Sequence, residues 1–230
     1  MLEYCHHSIT PLLHYSMSAV LIAPSILAAD FGRLGDEVRQ VEKAGADRIH
    51  CDVMDGHFVD NISFGPDVVE AASRHTELPL DVHLMLEKPD KFFPRFTKVA
   101  NSITVHVEAD HDVAETLSRI RSAGCKAGLA VSPPTPFEKA RPFLDLIDVL
   151  LILTVNPGFG GQAFISEVLD KVRAGADWRA AHNLHYHIEV DGGINVATAR
   201  ASREAGANVM VAGTSIFRAN DVAAEIAALR

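Results

Sequence analysis

The chain alternates short apolar runs with longer amphipathic stretches eight times between residue 18 and its C-terminus. Apolar residues spaced i, i+4, i+7, such as Leu34, Val38 and Val41, are typical of one face of a helix. Parallel strands joined by helical crossovers produce this alternation. The predicted strands lie near residues 20–25, 47–54, 80–85, 102–107, 126–131, 147–154, 186–191 and 208–213.

Eight strand and helix pairs within one chain of this length predict a single-domain (β/α)8 TIM barrel over residues 18–230. The Ala-Gly-Ala junctions at 44–46 and 205–207 support it, because glycine commonly ends a helix before the next strand. Only the segment between the fifth and sixth predicted strands leaves little room for a helix. An open doubly wound sheet is the alternative, but no G-x-G-x-x-G motif follows the first strand.

Composition narrows the classes of partner. The formal net charge is -9 and no basic stripe occurs, so we expect no nucleic acid partner. No apolar run approaches the roughly 20 residues that span a bilayer, and three scattered cysteines without a C-x-x-C pattern favour the cytosol. Residues 1–17 show no core periodicity and lack the basic start of a targeting peptide, so we predict a disordered N-terminal extension there.

Two predicted strands carry ionisable side chains where a buried parallel strand normally carries valine, isoleucine or leucine. Strand alternation places the polar residues of each strand on one face together with a methionine. The two rows are His50, Asp52 and Met54, and Asp81, His83 and Met85. Burying such polar rows costs free energy unless each group has a partner. One metal ion bound by both rows is the simplest such partner.

The seventh predicted strand ends in Asp191, at the end of the barrel where active sites form. Together with His50, Asp52 and His83 it would offer two imidazoles and two carboxylates to one divalent cation. This donor set suits zinc, iron(II), manganese or cobalt better than calcium, and the sequence does not rank those four. The alternative is that hydrogen bonds satisfy each of these residues separately.

Glycine-rich turns follow three late strands. They are Asn-Pro-Gly-Phe-Gly-Gly at 156–161, Gly192-Gly193 and Gly213-Thr214-Ser215. Glycines let backbone N–H groups approach an anion, and turns after the seventh and eighth strands often form the phosphate site of a barrel. The turns therefore predict a small phosphorylated substrate. No Walker-type motif supports nucleotide hydrolysis.

From residue 20 to its C-terminus the chain resembles the ribulose-phosphate 3-epimerase family. The resemblance rests on five motifs: APSILAADF at 23–31, HCDVMDGHF at 50–58, DVHLM at 81–85, VNPGFGGQ at 155–162 and VDGGI at 190–194. It implies a (β/α)8 barrel that binds one divalent metal ion. It also implies interconversion of D-ribulose 5-phosphate and D-xylulose 5-phosphate in the pentose phosphate pathway.

The resemblance also assigns roles. It implies that His50, Asp52, His83 and Asp191 are metal ligands, with Asp52 and Asp191 also the acid and base. The residues expected to contact the substrate are Ser25, Met54, His83, Met85, Gly158, Phe159, Gly160, Gly161, Gly192, Gly193, Gly213 and Thr214. We expect a homo-oligomer that acts on a small ketose phosphate.

The chain departs from the family pattern at three places. Leu153 stands where the family commonly has a third methionine, and Asp60-Asn61 stands where it often has Pro-Asn. The loop at 131–136 resembles the family's Asn-Pro-Ala-Thr-Pro only loosely. These departures argue against a required methionine at 153, and we predict no substrate contact from the 131–136 loop.

Epimerisation at C3 requires one group to remove a proton and another to return one to the opposite face. Asp52 and Asp191 come from distant strands and could flank a planar enediolate, with a metal ion stabilising its negative charge. Three alternatives stay open. They are a 3-epimerase of a six-carbon ketose phosphate such as allulose 6-phosphate, a phosphate-barrel lyase, and a barrel that binds a metal or sugar phosphate without catalysis.

Overall fold

A computed structural model describes residues 19–230, and within them eight parallel strands form one sheet. The strands are β1 Leu21–Pro24, β2 Ile49–Met54, β3 Leu80–Met85, β4 Ser102–His106, β5 Lys126–Val131, β6 Val149–Leu153, β7 His187–Asp191 and β8 Val209–Ala212. They pair in the order β1-β8-β7-β6-β5-β4-β3-β2, and a parallel bridge between Ser25 and His50 joins the two edges. The predicted barrel is confirmed, and each strand overlaps its predicted position.

Helices connect most of the strands. They are α1 Leu34–Lys43, α2 Pro66–Ser73, α3 Pro89–Phe92, α4 Val113–Ser122, α5 Leu169–Ala181, α6 Val196–Glu204, α7 Thr214–Phe217 and α8 Val222–Leu229. After β5 only two 3-10 turns occur, at Phe137–Lys139 and Arg141–Phe143. Prolines at 133, 134, 136 and 142 explain this, since proline lacks the N–H of a continuing helix and disfavours helical backbone before it. The segment after β5, where the sequence leaves little room for a helix, therefore contains no α-helix.

The core lies between the barrel and its helices. Side chains that point outward from the strands, such as Ile22, Val82 and Ile188, belong to one large buried apolar cluster. The alternate positions point into the barrel, and there the apolar filling is interrupted by polar residues. Both Ala-Gly-Ala junctions end a helix as predicted, because Gly45 and Gly206 adopt the left-handed backbone, with φ of 95° and 110°.

None of the helices within residues 19–230 has the length and apolar character that crossing a bilayer requires. The predicted disordered extension, residues 1–17, lies outside the described residues.

Candidate active site

A cavity of about 350 Å³ opens at the carboxyl ends of the strands. Asp52 and Asp191 line it from different strands, and so do most residues that the sequence predicts to contact substrate. These are Ser25, Met54, Met85, Gly158, Phe159, Gly160, Gly161, Gly192, Gly193, Gly213 and Thr214. The methionines pack with Val59 into a small apolar cluster, which provides the apolar surface predicted beside the polar rows.

The four predicted metal ligands come together at the base of this cavity, where Asp52 and Asp191 line it. One donor atom from each of His50, Asp52, His83 and Asp191 lies within 4.8 Å of the others. Asp52 Oδ1 is 3.2 Å from His50 Nε2 and 3.0 Å from His83 Nδ1. Asp191 Oδ2 is 4.0 Å from His83 Nδ1. The parallel register explains the first contacts, because Asp52 and His83 are direct partners across β2 and β3.

This donor set fits a metal ion. The two imidazole rings are fully buried and Asp52 is 3% exposed, so the cluster sits where an uncompensated charge would be costly. Two carboxylates and two imidazoles within coordination reach of one another match the ligands of zinc and similar transition metals. The cluster could therefore hold one metal ion at the base of the cavity.

The two aspartates differ in protonation. Burial raises the pKa of Asp191 well above its ordinary value, and the negative charge of Asp52 adds to this effect. Burial also opposes ionisation of Asp52, but the charges and hydrogen bonds of His50 and His83 outweigh it and lower the pKa of Asp52. The Ser25 hydroxyl donates to Asp52 Oδ2 over 2.5 Å, which also favours the carboxylate. The surroundings thus shift the two pKa values in opposite directions, which favours an ionised Asp52 beside a protonated Asp191.

A second buried polar layer lies beneath His50. His50 Nδ1 is 3.1 Å from Asp81 Oδ2 and 3.2 Å from Glu189 Oε1, so the ring turns Nε2 toward the candidate metal site. Burial, and then the charge of Asp81, raise the pKa of Glu189 to about 7. Arg48, 3.9 Å from Asp81 and 3.7 Å from Glu189, supplies positive charge to the layer. Asp81 and Glu189 thus orient the His50 ring through their contacts with Nδ1.

His83 has a partner on its other side as well. His83 Nε2 is 2.8 Å from His106 Nε2, and His106 Nδ1 is 2.9 Å from Glu108 Oε2. Burial opposes ionisation of Glu108, yet the hydrogen bond and charge of His106 lower its pKa to about 2. His57, which lies in the motif at 50–58, is exposed. Glu108, which the sequence analysis did not identify, lies two residues after His106 and just beyond the end of β4.

The turn after β7 is built around glycine. Gly192 has a φ of 114°, and a Cβ at this position would overlap the side chain of Val155. The Thr154 hydroxyl lies 2.9 Å from the carbonyl of Asp191 and 2.6 Å from that of Gly192, and it ties the turn to β6. The turn thus keeps backbone close to the cavity and fixes the peptide that carries Asp191.

Several residues that line the cavity were not predicted to contact substrate, and Arg218 and Ser215 are two of them. Arg218, which is exposed, is the only Lys or Arg among the described residues that line the cavity. No ion pair joins it to another side chain within residues 19–230. Ser215 Oγ is buried without a hydrogen-bond partner in that same range. A cation four residues after the Gly-Thr turn was the signal that could have indicated Arg218.

The three departures from the family pattern have structural counterparts. Leu153 lines the cavity as an apolar side chain. Asn61 donates from Nδ2 to the carbonyl of Gly158 over 2.6 Å, which links the loop after β2 to the glycine-rich loop after β6. In the 131–136 loop, Ser132 N–H donates to Glu108 Oε1 over 2.8 Å. This loop therefore contacts the carboxylate that pairs with His106.

Comparison with known proteins identifies the family of the chain. The pattern of the Ribulose-phosphate 3 epimerase family matches residues 21–217. The chain is 48% identical to the ribulose-phosphate 3-epimerase of Bacillus subtilis over 215 residues, which covers 92% of this chain and 98% of that protein. It is 44% identical to the chloroplastic ribulose-5-phosphate-3-epimerase of Arabidopsis thaliana over 219 residues, which covers 94% and 78%. Among solved structures, KGPDC from Streptococcus mutans superposes with a TM-score of 0.69 at 14% identity, covering 92% and 95%. That likeness shows a shared barrel fold.

Proposed function

The chain belongs to the ribulose-phosphate 3-epimerase family, and from that premise we propose that it interconverts D-ribulose 5-phosphate and D-xylulose 5-phosphate. The observation that carries the proposal is the convergence of Asp52 and Asp191 with two histidines at one cavity. A 3-epimerase needs one base and one acid at the reacting carbon, and this pair supplies both.

In the proposed reaction Asp52 removes the C3 proton as a carboxylate, and protonated Asp191 returns a proton to the other face of the planar enediolate. The opposite pKa shifts of the two groups match these roles in one direction. The roles exchange in the reverse direction. Met54, Met85 and Leu153 give the cavity an apolar wall that limits access of water to the intermediate.

The residues that would hold a divalent metal ion are His50, Asp52, His83 and Asp191. We propose zinc, iron(II), manganese or cobalt, which share a preference for mixed nitrogen and oxygen ligands. When bound, such an ion supplies positive charge that stabilises negative charge developing on the substrate oxygens. The carboxylates of Asp52 and Asp191 are then held at fixed positions for proton transfer.

We place the substrate phosphate at the opposite side of the cavity, among Gly192, Gly193, Gly213 and Thr214. Arg218 lines the same cavity as these turns and is the positive side chain nearest to them in sequence. A guanidinium is suited to a phosphate dianion because it donates several hydrogen bonds in one plane. The anionic substrate would otherwise meet a cavity lined by two carboxylates.

Substituting Arg218 with alanine is expected to raise KM for the sugar phosphate at least about 10-fold, since a hydrogen bond to a charged group contributes about 1.5–3 kcal/mol. We expect kcat to change little, because the phosphate is remote from C3 and its binding energy is common to ground and transition states. Steady-state kinetics measure both parameters. R200A, an exposed arginine substitution on α6, is the control. A KM for R218A equal to that of R200A would remove Arg218 from the phosphate site.

The lyase alternative loses support from the cavity. Lyases and decarboxylases on phosphate-binding barrels usually pair a lysine with an aspartate, and among residues 19–230 no lysine lines this cavity. A six-carbon ketose phosphate is the nearer competitor because the chemistry at C3 would be unchanged.

The direct test is a coupled assay of xylulose 5-phosphate formation, run beside an assay with allulose 6-phosphate. We expect kcat/KM for ribulose 5-phosphate to exceed that for the six-carbon sugar by at least about 10-fold, the scale of one lost or added contact. A higher value for the six-carbon sugar would reassign the substrate. Absence of turnover with both sugars in metal-loaded protein would leave a binding function only.

A further inference from the structure

The glycine-rich loop at residues 156–162 borders the cavity and is tied to the rest of the barrel at one point. Just outside it, Ile165 N–H donates to the Thr154 carbonyl over 2.8 Å and closes the base of the loop. Within residues 19–230, one hydrogen bond joins residues 156–162 to another segment. It runs from Asn61 Nδ2 to the Gly158 carbonyl over 2.6 Å.

The loop has little stiffness of its own. Gly158 and Gly161 have φ of 126° and 75°, values that glycine adopts at little cost and leaves as easily. The Gln162 amide donates to the carbonyls of Asn156 and Phe159, so it closes the loop on itself without fixing it to the barrel. The Phe159 side chain is 57% exposed and adds little packing. The bond from Asn61 therefore has a large share in deciding where the loop lies.

The other end of this bond belongs to a segment that is itself fixed. Residues 55–63 fold back toward β2, because Gly56 N–H donates to the Asn61 carbonyl over 2.9 Å. The Ser63 hydroxyl donates to the Asp52 carbonyl over 2.6 Å, which ties the end of this segment to the strand that carries the proposed base. Asn61 thus holds the loop from a rigid support.

The amide of Asn61 has one orientation that satisfies both of its contacts. Its Oδ1 accepts from Ile62 N–H over 2.9 Å, so the NH2 group is the end that faces Gly158. Gly158 is buried, whereas Phe159 and Gly160 beside it are exposed. Buried carbonyls are nearly always paired with a donor, and Asn61 supplies that donor here.

We propose that Asn61 is a positioning residue that holds the glycine-rich loop in its place at the cavity before the sugar phosphate binds. A Cβ at Gly161 would lie 3.8 Å from Thr214 Oγ1, so the loop borders the turn where the proposed function places the phosphate. A loop that is already in place need not be ordered by the ligand, and affinity falls with the fraction of molecules in which it is displaced. The effect on affinity rests on the proposed function, whereas the effect on the loop does not.

Aspartate at position 61 would separate the two contacts of the side chain. A carboxylate keeps an acceptor for Ile62 N–H, but it has no donor for the Gly158 carbonyl and its charge repels that oxygen. N61A removes both contacts. The control is N183D, which makes the same change at an exposed asparagine between α5 and β7, at the end of the barrel away from the cavity.

Chymotrypsin, which cleaves after accessible aromatic residues, reports on the loop through Phe159. Cleavage follows the population of molecules in which the loop has opened. We expect full-length N61D to be cut after Phe159 at least about 10-fold faster than N183D, because a hydrogen bond is lost and a repulsion is added. N61A should lie between them. Fragment masses identify the cut, since an unfolded chain would be cleaved at many of its 11 phenylalanines.

Inorganic phosphate provides a binding readout that needs no turnover. We expect phosphate to slow cleavage after Phe159 in N183D, and the concentration that gives half protection to rise at least about 3-fold in N61D. In assays with ribulose 5-phosphate, KM should rise by a similar factor while kcat changes less than about 2-fold, because the loop acts on binding and not on proton transfer.

Three results would overturn the proposal. Equal cleavage rates in N61D and N183D would show that Asn61 does not hold the loop. Faster cleavage in N61A than in N61D would show that Asn61 serves only its own turn. Faster cleavage in N61D without a change in half-protecting phosphate would separate the loop from ligand binding. Failure of the proposed function would appear instead as absent turnover in N183D, with both cleavage readouts intact.

Discussion

Replacing Asp191 with asparagine is expected to lower kcat by at least about 100-fold, the scale typical of a general acid or base. Asparagine keeps the shape of the side chain but can neither deliver nor accept the C3 proton. The loss should persist at saturating metal, because the proton transfer itself is removed. Coupled assays over a range of metal concentrations separate this effect from weaker metal binding.

D67N is the matched control for this prediction, since it makes the same change at an exposed aspartate in the first turn of α2. We expect D67N to retain ordinary kinetics. If D191N at saturating metal kept a kcat close to that of D67N, Asp191 would not be the acid, and the assignment of the pair would fail.

Removing the metal with a chelator is expected to lower turnover by at least about 100-fold, comparable to the loss of one preorganised group that stabilises charge in a transition state. Without a cation among His50, Asp52, His83 and Asp191, less positive charge faces an enediolate, and Asp52 and Asp191 repel each other when both ionise. About one equivalent of zinc, iron(II), manganese or cobalt per chain should restore activity.

Thermal unfolding supplies the control for metal removal. A ligand that binds only the folded chain stabilises it, so the metal should raise Tm while the chelated protein still unfolds cooperatively. Chelated protein with full turnover and an unchanged Tm would show that the cluster works through hydrogen bonds alone, the alternative that the sequence left open.

Much of the fold was predictable because its signals are local. Apolar runs of strand length and residues such as Val38 and Val41 on a helix face report burial directly, so every strand was found to within about two residues. The missing helix after β5 follows from prolines that are visible in the sequence. Strand alternation also predicted that His50 and Asp52 share a face, and the structure places both at one site.

What the sequence could not supply depends on register and side-chain rotation. The pairing of Asp52 with His83 is a property of how β2 lies against β3. The orientation of His83, the contact of His106 with Glu108, and the buried layer of Arg48 and Glu189 arise from packing between distant segments. The predicted homo-oligomer and cytosolic location stay predictions.

The central claim is that four side chains from β2, β3 and β7 bind one divalent cation at the base of the cavity. Anomalous scattering from crystals grown with Mn²⁺ or Zn²⁺ tests it most directly. We predict a single strong peak within coordination distance of His50 Nε2, His83 Nδ1 and the carboxylates of Asp52 and Asp191. A map with no peak among these atoms, at a metal concentration that restores turnover, would contradict the account.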